Sequence, residues 1–589
     1  MSKGRNGQSI LLLLYGGLLL APLSWVLWEA RRGEAIAELE SLIQQMDLPI
    51  LLANSLFLAL TTTLLATFLG LPLGLLLSAY KSRVQPLLLA LALVPLLIPP
   101  HIHTIAWARV MGDRGWLTLW IRQMGAEPPD IRAPLGTPGE DLLLGSIYWG
   151  PAWVMACAYF PLMVFSVRAG VQSLDRDGLD AARLTPGSRP LRHIVLPQIL
   201  PRILAAAAFI FILSLASYPV VSLLDTPTLI QKVFFALHVS TGNPFAATVL
   251  GLPLVLMAFL GIFLLTTLDR GRAIQGDRAR QSERAPEGVG SHLVACLLLG
   301  LALIVPLVSL LLEAGPLRLF GEEPDNYQMV FSRVRTAFVE SFLLSGSGVL
   351  VLSAVGAIVG RILARRRSVL LDSGMLAFLA VPPEVLALSL LVLFSGLASG
   401  SVPLAFGAAF AAFVALPWFR NLSQRAALRN AFVWVVCVFA ASTLFSTTGL
   451  ARSIQQQGFT LLLLAWLGRF LPFIARIFRQ GYETIDEDSV FAAQLAGRGA
   501  ASRWLCVELP ALRPTLCLAA VFSWVLCFTE LPATLVALRP GWQTVQMRIF
   551  NMVHYQSIGE VSALCVLSIL GALAPLVIWR LLLSGGRTS

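Results

Sequence analysis

Charge is what this sequence has least of. Only 13% of its residues are Asp, Glu, Lys or Arg, against about a quarter in a soluble domain. That shortage excludes an ordinary water-soluble fold. Cysteine is sparse as well: seven residues in 589, scattered, with no CxxC pair and several inside apolar runs. They read as small core residues, which excludes a disulfide frame or a thiolate metal site. Hydrolase signatures are missing. There is no H-E-x-x-H, no G-x-S-x-G and no pair of catalytic carboxylates. The chain does not read as an enzyme. It also has no G-x-x-x-x-G-K-[ST] phosphate loop, so it does not carry its own nucleotide hydrolysis.

What is present is apolar sequence. Hydrophobic residues make up 57% and the mean hydropathy is +0.78. Runs of about 20 apolar residues recur, the length that spans a bilayer as a helix. The fold class expected is an all-α polytopic membrane protein; barrel strands would alternate instead of running solidly apolar. The net charge of +11 then needs no nucleic acid, because Arg and Lys gather on the cytoplasmic side of membrane proteins. Membrane lipid is the expected surrounding.

Six apolar spans fill the first part, at about 10–28, 52–80, 86–108, 147–167, 203–222 and 246–268. Lys3 and Arg5 place the N-terminus inside, and Lys81, Arg83 and the six arginines of 168–202 follow on the same side. The 113–146 loop falls outside and reads as an ordered external loop. An uncleaved first helix is preferred to a signal peptide, since the only A-x-A, Ala35-Ile36-Ala37, is poorly placed for cleavage. Residues 269–291, polar and rich in arginine, read as a cytoplasmic linker. It separates a first unit, 1–268, from a second, 292–589.

The second unit has spans at about 292–312, 336–360, 370–396, 458–478, 514–535 and 560–583. Arg361, Arg365, Arg366 and Arg367, the arginines of 498–513, and Arg580 and Arg587 all fall inside, so both termini are expected in the cytoplasm. Residues 402–449 do not fit twelve spans. Arg420, Arg425 and Arg429 at their middle suit the tip of an extra hairpin, giving fourteen spans. A partly embedded external insertion is the alternative, favoured by the short run before Pro417.

The two units share landmarks in the same order. Asn54-Ser55 opens one span and Glu340-Ser341 its partner. IPPHIHTIAW at 98–107 lies opposite VPPEVLALSL at 381–390. Pro197 and Pro201 correspond to Pro510 and Pro514, Ser217 and Pro219 to Glu530 and Pro532, and Phe234 and His238 to Phe550 and His554. An even number of spans per unit makes this a parallel repeat, with a path expected along the interface of two bundles.

Two polar cytoplasmic segments stand out, DAARLTPGSRPLRHIVLP at 180–197 and FAAQLAGRGAASRWLCVELP at 491–510. The second runs Ala492-Ala493, Gly497, then Val507-x-Leu509-Pro510. It resembles the EAA loop, E-A-A-x-x-x-G-x(9)-I-x-L-P, of permease subunits of binding-protein-dependent ABC importers. The first, with Asp180, Ala181, Ala182, Gly187, Leu196 and Pro197, is similar, although its glycine is one place late and its acid-to-Leu-Pro interval two residues short. In the second, Phe491 stands where the acid belongs; Asp486, Glu487 and Asp488 are near but out of register. Two permeases in one chain are similar to iron(III), thiamine and phosphonate-type importers.

The resemblance implies that the segments within 173–200 and 485–511 couple to a separate ATPase. It implies two copies of that ATPase carrying ATP and Mg, none bound by this chain, and a periplasmic solute-binding protein above. It implies a bacterial cytoplasmic (inner) membrane location. Each segment would form a short helix in an ATPase cleft; the competing reading is an ordinary basic loop.

Weaker candidates lie in the spans. His101 and His103, after Pro99-Pro100, and Glu384, after Pro382-Pro383, are placed to line a path or to break a helix. Metal ligation by the two histidines is a further option. Ser217 and Glu530 are path or gate candidates, an acid at bilayer centre costing ~2.5–3.5 kcal/mol. His238 and His554 fall in outer connections. An ion-coupled secondary transporter built from the same repeat is the rival function. The solute is not legible; iron(III), thiamine, a phosphonate or a polyamine all fit.

Overall fold

The computed structural model describes residues 33–44, 46–79, 84–133, 146–174, 191–236, 244–269, 289–316, 325–365, 381–399, 458–538 and 541–585. All regular structure among them is helical. In chain order the helices are α1 (Gly33–Gln44), α2 (Leu48–Ala79), α3 (Gln85–Leu97), α4 (Pro100–Met111), α5 (Trp116–Gln123) and α6 (Trp149–Gln172). There follow α7 (Leu196–Leu215), α8 (Tyr218–Leu223), α9 (Leu229–Phe235), α10 (Pro244–Asp269), α11 (Val289–Leu299) and α12 (Val305–Ala314). The rest are α13 (Asn326–Arg365), α14 (Pro383–Ser399), α15 (Phe459–Glu483), α16 (Glu487–Leu495), α17 (Ala500–Arg503) and α18 (Leu509–Ala511). The last four are α19 (Arg513–Phe528), α20 (Pro532–Ala537), α21 (Val545–Met552) and α22 (Ile558–Gly585).

Seven helical stretches among the described residues are long and apolar enough to cross a membrane, and nine if each sharply bent pair counts as one span. The chain is a polytopic all-helical membrane protein. The expected spans 246–268 and 370–396 correspond to α10 and α14. The expected first span, the hairpin or insertion at 402–449, and most of the 269–291 linker lie outside the described residues.

Three expected spans are not continuous helices. The run 86–108 is two helices bent by 99°. Ile98 (φ −92°, ψ 125°) and Pro99 (φ −57°, ψ 141°) are extended, because a residue before proline is pushed out of the helical region. The run 203–222 ends its helix at Leu215 and restarts at Tyr218; 514–535 ends at Phe528 and restarts at Pro532. Each restart carries Pro219 or Pro532 in its first turn, where a missing N–H costs nothing.

Lipid gives helices no hydrophobic reason to associate, so close packing must do it. The long α2 lies along α6 through Gly70 and Gly74. A Cβ at Gly70 would come 2.6 Å from Met163, and one at Gly74 2.9 Å from Val167. In the second unit α13 lies along α15 through Gly356 and Gly360, where a Cβ would come 2.6 Å from Ile474 and 2.5 Å from Phe478. Ser55 Oγ accepts from Leu229 N at 3.0 Å and Ser341 Oγ accepts from Val545 N at 2.8 Å. Each bond joins a long helix, α2 or α13, to the start of a short one, α9 or α21.

The two units also exchange edges. Ala295, Leu299 and Ala302, from the start of the second unit, are buried in the core built by α2, α6 and α7. Phe245, Ala247 and Leu250 of α10 are buried with α13, α14 and α15. A third core joins Ile98, Ile102 and Ile105 to α12, α13, α21 and α22. The breaks at Ser217 and Glu530 therefore sit where the two units meet.

Candidate functional site

Both breaks expose backbone that must be satisfied inside the protein. At the second, Glu530 does this with its side chain. One carboxylate oxygen accepts from Ala533 N at 2.6 Å; the other accepts from Thr534 N at 3.1 Å, Thr534 Oγ1 at 2.5 Å and Trp466 Nε1 at 3.2 Å. Glu530 is thus a fully bonded buried acid that starts α20. At the first break Ser217, also buried, is hydrogen-bonded with the Tyr159 hydroxyl of α6.

Glu384 is different. It lies in the first turn of α14 and is 2% exposed, yet neither carboxylate oxygen has a hydrogen-bond partner beyond its own amide. Arg469 of α15, half-buried, acts on it electrostatically without bonding to it, and so does Glu530. From the first unit, Tyr218 lies within the same electrostatic range. Tyr218 stacks on Phe234 at 4.0 Å and meets Phe550 of the second unit at 6.2 Å.

His101 and His103 are both 2% exposed but face different partners. His101 Nε2 meets Gln546 Oε1 at 2.9 Å across the units. The Gln546 amide donates to Phe528 O and Ser568 Oγ at 3.0 and 2.9 Å. Its oxygen therefore accepts, and His101 Nε2 is the donor. His103 Nε2 donates to Pro95 O at 3.0 Å, holding the bend between α3 and α4. The two rings do not converge on a shared ligand position, and no group of three or more His, Cys, Asp or Glu among the described residues is arranged to hold a metal ion. His554 lies at an outer cavity, and His238 is outside the described residues.

Further along α15, toward the 485–511 segment, the contacts turn aromatic. Phe473 of α15 meets Phe209 of α7 at 5.8 Å and Phe522 of α19 at 6.4 Å, both edge-on. At the opposite end, a cavity of about 350 Å³ opens between the units, lined in part by Arg109, Arg114, Arg132, Asp113, Asp130 and His554.

The polar segment at 485–511 folds as a helix and a turn. Asp486 caps α16: its carboxylate accepts from Asp488 N at 3.2 Å and Ser489 Oγ at 2.9 Å. These bonds hold its carboxyl below the usual carboxylate range. Ala492 and Ala493 fall in the last turn. Gly497 follows with φ +74°. Its N–H donates to Gln494 O at 3.0 Å, and Arg498 N donates to Ala493 O at 3.2 Å, the paired bonds of a Schellman end. The motif glycine is there because the turn needs a left-handed residue.

The segment then climbs through a π turn, Trp504–Glu508, to Leu509 and Pro510, and bends by 66° into α19. Glu508, 3% exposed, pairs with Arg361 of α13 at 2.5 Å. Trp504 Nε1 donates to Tyr482 Oη at 3.0 Å. In the first segment, Asp180, Ala181, Ala182 and Gly187 lie outside the described residues. Leu196 and Pro197 start α7 after a π turn, with Leu196 packed on the first core.

Sequence reasoning missed Arg361, Glu508, Arg469, Gln546 and the phenylalanines. Arg469 had a signal, as a cation inside an apolar span. Gln546 had none, because its value comes from the His101 it meets.

Residues 70–274 match the family described as "Binding-protein-dependent transport system inner membrane component". No curated protein matches the chain. That family is one of transport permeases, and the match supports an ABC importer permease subunit. The match and the apolar helices together support a multi-pass membrane protein.

Proposed function

We propose that this chain is the membrane-spanning permease of a binding-protein-dependent ABC importer, with both permease bundles in one polypeptide. The parallel contacts of Ser55 and Ser341, and of Gly70–Gly74 and Gly356–Gly360, support an internal repeat. The seam around Ser217, Glu384 and Glu530 is the translocation path, and the Phe209–Phe473–Phe522 cluster its inner gate. The segments within 173–200 and 485–511 couple it to two copies of a separate ATPase, which binds ATP and Mg. The cavity lined by Arg109 and His554 faces a solute-binding protein outside. The chain sits in the bacterial inner membrane with both termini cytoplasmic. Of the importers it resembles, iron(III), thiamine and phosphonate types share the fused arrangement.

One observation carries the coupling assignment. Helix α16 shows Phe491 and Leu495, four residues apart on one face, 59% and 74% exposed. Apolar side chains on a short helix beyond the spans call for a protein surface. Phe491 stands at the acid's place, so this loop docks by apolar contact where the family uses a charge. The test is copurification with the ATPase encoded beside the chain. Ala493→Glu and Gly497→Glu are expected to abolish capture and transport. Equal capture and equal transport by wild type and both variants would overturn the assignment.

Glu384 favours a second reading, an ion-coupled carrier, since a membrane acid without partners is what such a carrier uses. It predicts uptake driven by an ion gradient with no ATPase attached. Uptake in proteoliposomes, with ATP inside or a proton gradient imposed, separates the two.

A further inference from the structure

We propose that Glu384 is the anionic contact of a solute site in the seam, and that the solute it selects carries a cationic, hydrogen-bond-donating organic group. The proposal rests on reading the seam as a translocation path, and it names the substrate class that reading leaves open.

Two buried acids stand in the seam, and the sequence treats them oppositely. Glu530 receives four donors, from Ala533, Thr534 twice, and Trp466. Glu384 receives none beyond its own amide, although it is as deeply buried. Burying a carboxylate with open lone pairs is costly unless something meets it. Packing does not explain it, because a leucine at this helix start would fill the same place without that cost. The equivalent position after the proline pair in the first unit, His101, is satisfied by Gln546 at 2.9 Å. The open acceptors are thus particular to Glu384.

The surroundings fix the sign of the missing partner. Glu384 and Glu530 bring two acids, and Arg469, the cation that acts on Glu384, brings one positive charge without bonding. A cationic donor would meet the open acceptors and offset the second acid. The stacked Tyr218–Phe234 pair lies on the first-unit side, and aromatic faces attract organic cations. Two oxygens that only accept match an ammonium or amidinium that only donates. A bare metal ion fits less well: it would need further ligands, and no metal-holding group of three occurs among the described residues.

The site is where both units meet. Helix α14 packs against α15 and α20 of its own unit and against α10 of the other. A Cβ on Gly251 of α10 would come 2.8 Å from Val385, the neighbour of Glu384. Any relative movement of the two bundles changes the walls around the carboxylate, as alternating access requires.

The test labels the full chain in lipid nanodiscs with dicyclohexylcarbodiimide, which modifies carboxyl groups buried in apolar surroundings, and reads Glu384 and Glu530 by peptide mass spectrometry. Methylammonium, putrescine and arginine serve as cationic probes, acetate and succinate as anionic ones. Glu384 is expected to be modified and Glu530 spared. At least one cationic probe is expected to slow modification of Glu384 about tenfold, as a probe at about ten times its dissociation constant would, and neither anion is. Equal protection by cations and anions, or by none of them, overturns the proposal. Modification of Glu384 that disappears only when a proton gradient is imposed also overturns it, in favour of proton carriage. Glu384→Gln, which keeps the shape, serves as the unlabelled control. The readout needs no ATPase, so loss of ATPase capture would sink the permease reading while leaving this result standing.

Discussion

Two glutamates in one seam show how little a residue's type says about its role. Both are buried, but Glu530 is the start of a helix and Glu384 is an open acceptor. Every hydrogen-bond partner of the Glu530 carboxylate is a donor, which leads to a sharp expectation. Glu530→Ala should destabilise the protein by about 2–3 kcal/mol, since hydrogen bonds to a charged group contribute about 1.5–3 kcal/mol each and are partly replaced on relaxation. Glu530→Gln, normally the mild change, should cost nearly as much, because its amide would point N–H groups at the N–H of Trp466 or Thr534. Thermal unfolding of the two variants in nanodiscs measures this. A Gln variant as stable as wild type would show that the acid is not the helix's cap. The same comparison at Glu384 should leave stability unchanged or raised, since nothing there bonds to the charge.

At the scale of elements, α16 ties its motif residues to backbone needs. Nothing lies within 4 Å of a Cβ built on Gly497, so the cost of a side chain there is purely conformational. Gly497→Ala is expected to lose about 1–2 kcal/mol of local stability, and Gly497→Asn, which tolerates the left-handed region, clearly less. Hydrogen exchange at the Arg498 amide reads the difference, because its bond to Ala493 O closes the helix. The other end of α16 titrates. The carboxyl of Asp486 is held below its ordinary value by Ser489 and the Asp488 amide. A depressed folded value means its contribution is complete above the unfolded carboxylate range, near pH 4, and is lost as pH falls through the lower folded value. Acidification through that window should therefore speed exchange of the Asp488 and Ser489 amides beyond the intrinsic rate. Asp486→Asn, which caps without titrating, should remove the pH dependence. A wild-type profile matching the variant's would refute it.

The same helices mark what could be read in advance. The apolar runs located spans, and Pro99-Pro100 was legible as a place for a helix to break, because both effects are local; the breaks at Ser217 and Glu530 were not read in advance. The 99° bend between α3 and α4 was not legible: proline forbids helix at Ile98 but does not say where the chain goes next. The Ala-Ala, Gly and Leu-Pro spacing led to α16 and its turn. Arg361 and Glu508 could not be paired from sequence, because they are 147 residues apart and meet only when α13 and the segment before α19 are both in place. Glu384 was legible as an acid in an apolar span. That it lacks donors while Glu530 has four was not, since the difference lies in Trp466 and the backbone of α20.

For the whole molecule, the question is what keeps the path shut on the inner side while solute rests above. The Phe473 ring touches one helix from each unit, α7 through Phe209 and α19 through Phe522. Only the contact with Phe209 crosses from one unit to the other; in the proposed path it is the one the bundles break to open inward. Each edge-on pair contributes about 0.5–1.5 kcal/mol beyond the area it buries. Losing the one between the units would shift the closed-to-open balance by about 0.5–1.5 kcal/mol, roughly twofold to tenfold in population. Phe473→Ala should therefore leak. ATP-independent efflux of a small solute from proteoliposomes should rise by about twofold to tenfold, and ATP hydrolysis by the assembled complex should become less dependent on the binding protein. Phe473→Leu fills most of the same space and should leak less, which separates gating from a cavity that merely loosens the fold. If Phe473→Ala seals as tightly as wild type at equal thermal stability, the barrier lies elsewhere in the seam. The break at Glu530 and Arg469 would then be the groups to vary, because Glu530 sets the end of α19 and Arg469 acts electrostatically on Tyr159 of the first unit.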